Sequence, residues 1–217
     1  MTLQNRVDPF GRIVADPARG MFTGNRGIIH DPSTRTLLRK RWSTPHWIIC
    51  ACRYKDRPPR DVMGYNPRGG SKAGWTELFF LDEPTALATG HRPCFNCRRE
   101  RAKDFIGLFA ATSGIAAPKV NDLDRRLHAE RLASGGKPPV IAGKELRKLP
   151  DGAFVGIGER AFAVKRSRLL PWKFKEYEAS IAFADRPVFP ILLLTPSTTV
   201  EVLRAGYRPE WHASAFA

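Results

Sequence analysis

Four cysteines stand in two close pairs far apart in the chain, Cys50-Ala51-Cys52 and Cys94-Phe95-Asn96-Cys97. If the pairs act together, the fold must carry the apolar run WIICACRY (47–54) against the turn GHRPCFNCRR (90–99), and nothing else in the sequence constrains it as much. A C-x-x-C lets two sulfurs of one tight turn face a single point, filling two of the four corners that a structural zinc ion wants. A helix opening at the second cysteine aims backbone N–H dipoles at the thiolates. Cys50 and Cys52, at i and i+2 on a predicted strand, point to the same face. Cys50, Cys52, Cys94 and Cys97 are therefore the expected ligands of one Zn2+. Free cysteines are also common core residues; were one strand thiol merely packed, His91 or His46 would complete a three-cysteine, one-histidine set. In a reducing compartment such thiols serve as ligands or stay free rather than form disulfides.

Apolar periodicity and turn chemistry give the rest of the organisation. Residues 1–45 are dense in turn formers (DPFG, DPARG, TGNRG, DPST) and read as a loop-rich basic arm. WIICACRY and WTELFFL (75–81) read as strands separated by a basic, Pro/Gly-rich loop at 55–74. Asp82 as N-cap and Gly90 as C′ stop bracket a short helix over 83–89. Ala102, Phe105, Ile106 and Phe109 recur at helical spacing after Cys97, and a further helix starts near Asn121 or Asp122 and stops at Gly135-Gly136. Beyond Pro150, AFVGI and AFAVKR form a hairpin pattern, RLLPWKF and VFPILLL add strand-like runs, and Thr198 with Glu201 has capping-box spacing before a helix stopped by Gly206. The expected organisation is α+β: an arm (1–45), a small zinc-binding module of mixed strands and short helices (46–110), a helical connector (111–150) and a small β-rich C-terminal region (151–217).

The segment FFLDEPTALATGHRPCFNCRR (79–99) resembles the second half of the zinc-binding domain of the Ada DNA-repair family, through Phe80, Ala86, Ala88, Gly90, Arg92, Pro93, Cys94, Cys97 and Arg98. That resemblance covers about residues 47–99. It implies a four-cysteine zinc site near a DNA backbone, where one cysteine of the first pair accepts a methyl group from a phosphotriester. The family's first pair is spaced C-x-x-x-C, whereas Cys50 and Cys52 are closer together in an apolar run, so the zinc-and-DNA implication transfers better than the methyl transfer. No helix-turn-helix regulator and no Pro-Cys-His-Arg methyltransferase signature follows.

The 36 Lys and Arg against 21 Asp and Glu give a formal charge of +15, which points to a polyanionic partner. Arg92, Arg98, Arg99 and Arg101 cluster at the second cysteine pair, and Arg53, Lys55, Arg57, Arg60, Arg68, Lys72 and the run ending at Arg41 extend the basic stripe. Guanidinium forks match phosphate oxygens, which suits backbone contact more than base reading. Trp42, Trp47 and Tyr65 are candidate stacking platforms for single-stranded DNA, although each is also ordinary core material. The expected partner is DNA, single-stranded or damaged. No run of about 18 apolar residues is present to span a membrane, and no secretory signal opens the chain, so a cytoplasmic protein is expected.

A second class of function, a nuclease or glycosylase with a structural zinc, would draw on NDLDRRLHAERL (121–132). Glu130 falls beside the helix's apolar stripe, Asp124 and His128 are i, i+4 partners suited to acid–base work, and Asp122 opens the helix. The same residues also read as ordinary ion pairs on a solvated helix face. A protein-interaction module with incidental charge is a third reading. Phosphate-binding glycine loops, H-x-x-x-H and G-x-S-x-G patterns are absent, which argues against nucleotide hydrolysis and nicotinamide chemistry.

Overall fold

The computed structural model describes residues 2–55, 61–66 and 70–217. The turn-rich N-terminal stretch is not an arm. It supplies β1 (Gln4–Val7), β2 (Ile13–Ala15) and β3 (Phe22–Asn25), followed by a small hairpin of β4 (His30–Asp31) and β5 (Thr36–Leu37). Strands of three or four residues carry too little alternation to stand out, but Val7, Ile13 and Phe22 are buried and anchor them. The run WIICACRY yields β6 (Ile48–Ala51) and WTELFFL yields β7 (Leu78–Phe80), each shorter than its apolar run. Helix α1 (Glu83–Ala88) and strand β8 (Arg92–Pro93) follow, completing a mixed six-stranded sheet in the order β2-β1-β7-β3-β6-β8. The pairs β1–β7 and β6–β8 are parallel and the others antiparallel.

Helix α2 (Arg99–Ser113) buries Ala102, Phe105 and Phe109, the residues whose spacing announced it. Helix α3 (Val120–Leu132) buries Leu123 and Leu127 and runs into a 3-10 turn over Ala133–Gly136. The remaining elements are β9 (Val140–Ile141), α4 (Gly143–Leu146), β10 (Phe154–Ile157), β11 (Arg160–Lys165), β12 (Arg168–Pro171), β13 (Ile181–Ala182), β14 (Ile191–Leu193) and α5 (Ser197–Arg204). Their six strands form a separate, wholly antiparallel sheet ordered β13-β12-β11-β10-β14-β9. Val155, Ile157, Phe162, Val164 and Leu169 form a core of their own on this sheet. Helix α5 instead returns to the first sheet, where Val200, Val202, Leu203 and Tyr207 share a cluster with Leu78, Phe80, Phe105 and Phe109. The protein is α+β, and its C-terminal end closes over its N-terminal half.

Both Gly-aromatic-Arg-Pro stretches end helices in the same way. After α1, Gly90 (φ 78°) donates to Leu87 O and His91 to Ala86 O; after α5, Gly206 (φ 119°) donates to Leu203 O and Tyr207 to Val202 O. This double bond pattern needs a left-handed residue that glycine provides without strain, and it drives the following aromatic residue inward. His91 and Tyr207 are accordingly fully buried.

Two acids at the start of α1 tie the molecule together. Asp82 caps the helix by accepting from Thr85 N (3.0 Å) and also accepts from Tyr177 Oη (2.9 Å) and His212 N (3.1 Å). Glu83, wholly buried, accepts from Arg98 Nη1 (2.8 Å), Arg101 Nη2 (3.3 Å), Tyr207 Oη (2.6 Å) and Glu210 N (2.8 Å). Burial pushes the Asp82 carboxyl up, against these hydrogen bonds that lower it, while burial and then the Asp82 charge push the Tyr177 hydroxyl well above its ordinary value.

Candidate metal centre

The parallel pairing of β6 with β8 assembles the centre. It sets Ile48 beside Arg92 and Ile49 beside Pro93, and Cys94 N donates to Ile49 O at 2.9 Å, so the chain enters its C-x-x-C turn alongside Cys50. Arg98 N then bonds Cys94 O (3.0 Å), closing the turn into α2. The three sulfurs of Cys50, Cys94 and Cys97 lie within 4.8 Å of one another, and no other group of three or more such side chains gathers as closely among the described residues.

The donor set suits a thiophilic cation. The Asn96 amide points at Cys94 Sγ (3.3 Å) and the Ala51 amide at Cys97 Sγ (3.4 Å), an environment that favours thiolate over thiol. Hydrogen bonds from the Cys50 and then the Cys97 thiol hold Cys94 far below the usual thiol range, and the reciprocal bonds, together with burial, push Cys50 up. A divalent cation is the species that lets all three give up their protons, and the cluster can hold a metal ion such as zinc.

Cys52 stands outside the group, which reduces the expected four-sulfur set to three. Strand β6 ends at Ala51, so the same-face rule for i and i+2 stops applying before Cys52 is reached. The chain bends there, and the exposed Cys52 thiol donates to Met21 O (3.4 Å) and approaches Gly20 O (3.9 Å). Neither histidine alternative joins the three sulfurs. His91 packs against Trp47 and Phe80, and His46 Nδ1 lies 2.7 Å from Asp124 Oδ2.

The arginines expected to form a phosphate-facing cluster divide into two kinds. Arg92 and Arg98 are buried, each 7% exposed. Arg92 makes a two-pronged pair with Asp124 (Nε–Oδ1 3.0 Å, Nη2–Oδ2 2.8 Å). Arg98 and Arg101 engage Glu83 and Glu210. Their donors are committed to holding the turn and α2 in place, so they position the centre from within. Arg41, Arg53, Lys55 and Arg99 are exposed, and no carboxylate pairs with them among the described residues. Arg41 donates to the carbonyls of Leu38 and Arg39, and Lys55 lies over the Tyr54 ring. Arg57, Arg60 and Arg68 lie outside the described residues. Of the aromatic candidates, Trp42 and Tyr65 are exposed, while Trp47 is buried.

The carboxylates and histidine proposed for catalysis have separate duties. Glu130 caps α5, accepting from Thr198 N (3.1 and 3.2 Å), Thr198 Oγ1 and Ser197 Oγ. The cap therefore comes from α3 and replaces the local box read from Thr198 and Glu201. Asp122 caps α3 through Lys119 N (2.7 Å) and pairs with Arg125. His128 meets Trp42 edge-on at 4.6 Å. Asp124 is oriented by Arg92 toward His46, a partner 78 residues away that no local spacing announces. His46, Arg92, Phe95 and Cys94 line one open groove, so the sulfur cluster and this half-exposed imidazole border a common surface. Among the described residues, no helix is long and apolar enough to cross a membrane. Comparison with protein-family models, with curated proteins and with solved structures finds no match for this chain.

Proposed function

We propose that the protein is a zinc-containing, nucleic-acid-binding protein that contacts the DNA phosphate backbone in repair or damage sensing. The observation that carries the reading is the convergence of Cys50, Cys94 and Cys97 from two distant segments. Bound there, zinc would act as a structural cross-link between β6 and the turn that opens α2. Three sulfurs leave one tetrahedral position for water or for a group entering the groove that Cys94 lines. The likeness of residues 79–99 to the Ada zinc-binding domain and the charge of +15 support the nucleic-acid half. With Arg92, Arg98 and Arg101 used internally, the phosphate contacts fall to Arg41, Arg53, Lys55 and Arg99.

Fluorescence anisotropy with single-stranded and duplex DNA over a salt series tests this. The affinity should fall with log[salt] at a slope of about −0.9 per phosphate contact on duplex. Replacing Arg53, Lys55 and Arg99 with Ala should flatten that slope by about two to three units, since each contact accounts for roughly 0.9. Affinity independent of salt, or an unchanged slope in the triple variant, contradicts the reading.

A further inference from the structure

A cavity of about 350 Å³ that shares no lining residue with the sulfur cluster is lined in part by Phe10, Arg26, Trp47, Glu130, Arg131, Lys137 and Leu194. That volume falls in the range of small-molecule sites. Its polar equipment is unusual. Two guanidiniums lie over the Trp47 ring, Arg26 at 4.2 Å and Arg131 at 4.1 Å from its centroid. Arg26 is only 2% exposed. It donates Nη1 to Gly11 O (3.1 Å) and Nε to His91 Nε2 (3.5 Å), and its Nη2 has no hydrogen-bond partner among the described residues. Arg131 donates Nη1 to Gly90 O (2.6 Å) and Nη2 to Pro45 O (2.8 Å), and its buried Nε likewise lacks a partner.

Neither guanidinium has a carboxylate within ion-pair distance among the described residues. The nearby acids are committed elsewhere: Asp8 to Arg12, Asp124 to Arg92 and His46, and Glu130 to the N-terminus of α5. Burial and then the neighbouring Arg131 push Arg26 down to about 9, so it remains a cation at neutral pH. His91, which Arg26 contacts, is held well below its ordinary value by burial and by the Arg26 and Arg131 charges, so it adds no third cation. Arg26 is buried and Arg131 half-buried, and the carboxylates that attract them, Asp8 for Arg26 and Asp124 and Glu130 for Arg131, lie beyond ion-pair distance, an arrangement costly for a fold to keep. Carbonyl bonds and ring stacking offset only part of this, because they leave one N–H group of each guanidinium unmet. An anion in the cavity would supply the missing counter-charge, and the exposed Lys137 at its margin would attract one.

We infer that this cavity is a binding site for a small organic oxyanion, with Arg26 and Arg131 holding the charged head and Phe10 and Leu194 packing on the body. A phosphate ester and a carboxylic acid share the required head, and the experiment separates them. Inorganic phosphate and acetate are titrated calorimetrically into the purified chain, with sodium chloride at matched ionic strength as the control. Saturable binding of phosphate assigns a phosphate-bearing ligand, and saturable binding of acetate a carboxylic acid. Either supports the site, and heats indistinguishable from chloride for both anions overturn it.

Arg26→Gln removes the buried charge while keeping hydrogen-bonding capacity. It should weaken the anion by at least tenfold without lowering the melting temperature, because it also removes a desolvated cation. A folded R26Q that binds the anion with unchanged affinity overturns the assignment. Should R26Q fail to fold, Lys137→Ala decides. It lies on the surface, and a loss of affinity of threefold or more supports the site, whereas none overturns it.

Discussion

At the scale of single residues, strand geometry separates Cys50 from Cys52. One is the last but one residue of β6 and faces its sulfur partners; the other lies past the strand end and turns to Met21 O. A sequence pattern records spacing but not where a strand stops, so the C-x-C looked like a matched pair. The C-x-x-C had no such ambiguity, because its own turn closes locally through Arg98 N and Cys94 O. Cobalt(II) substitution distinguishes the thiols. Cys52→Ser should keep the sulfur-to-cobalt charge-transfer absorption of the parent, and Cys97→Ser should lose most of it. Glu130→Ala bears on a different question. Uncapping α5 should lower stability by about 1 kcal/mol, read from the urea midpoint, with no loss of zinc.

At the scale of elements, α1 and its flanks carry the most consequence per residue. The Asp82 cap, the Gly90 stop and the apolar stripe of α2 were readable because each depends on neighbours within a few positions. What the same segment does to the rest of the chain was not. Arg98 looks like part of a solvent-facing basic run, yet it is buried by Glu83, 15 residues before it, and Glu210, 112 residues after it. Arg92 is buried in the same way by Asp124. Charge in a sequence therefore overstated the basic surface at the cysteine turn, since only tertiary pairing decides which guanidiniums reach solvent. Glu83→Gln should leave Arg98 without its buried counter-charge and cost about 3–5 kcal/mol. A denaturation midpoint unchanged in that variant would remove Glu83 from its place at the centre of the network.

At the scale of the whole molecule, the buried His91 beside Arg26 and Arg131 makes stability depend on pH. The folded state holds His91 neutral, while the unfolded chain protonates its imidazole near the ordinary value of about 6.5. The unfolded state therefore binds more protons below that pH, and stability, fully present above it, falls as the pH drops, by up to about 1.4 kcal/mol per pH unit. Urea midpoints between pH 7.5 and 5.5 should fall more steeply for the parent than for His91→Gln, a comparison in which acid release of metal cancels. Equal slopes would show that His91 does not titrate between the two states.

The first sheet joins strands from residues 4 to 93, and α5 closes its core from the far end of the chain, so no linear boundary could be drawn correctly from composition alone. All of this architecture converges on one claim, that the β6–β8 pairing makes a three-sulfur metal site. Elemental analysis of the purified chain tests it most directly, run on the parent, Cys50→Ser, Cys52→Ser and Cys97→Ser proteins. One zinc per chain is expected in the parent and in Cys52→Ser, and a large loss in the other two. A metal-free parent, or metal lost on replacing Cys52 and retained on replacing Cys50, would contradict it.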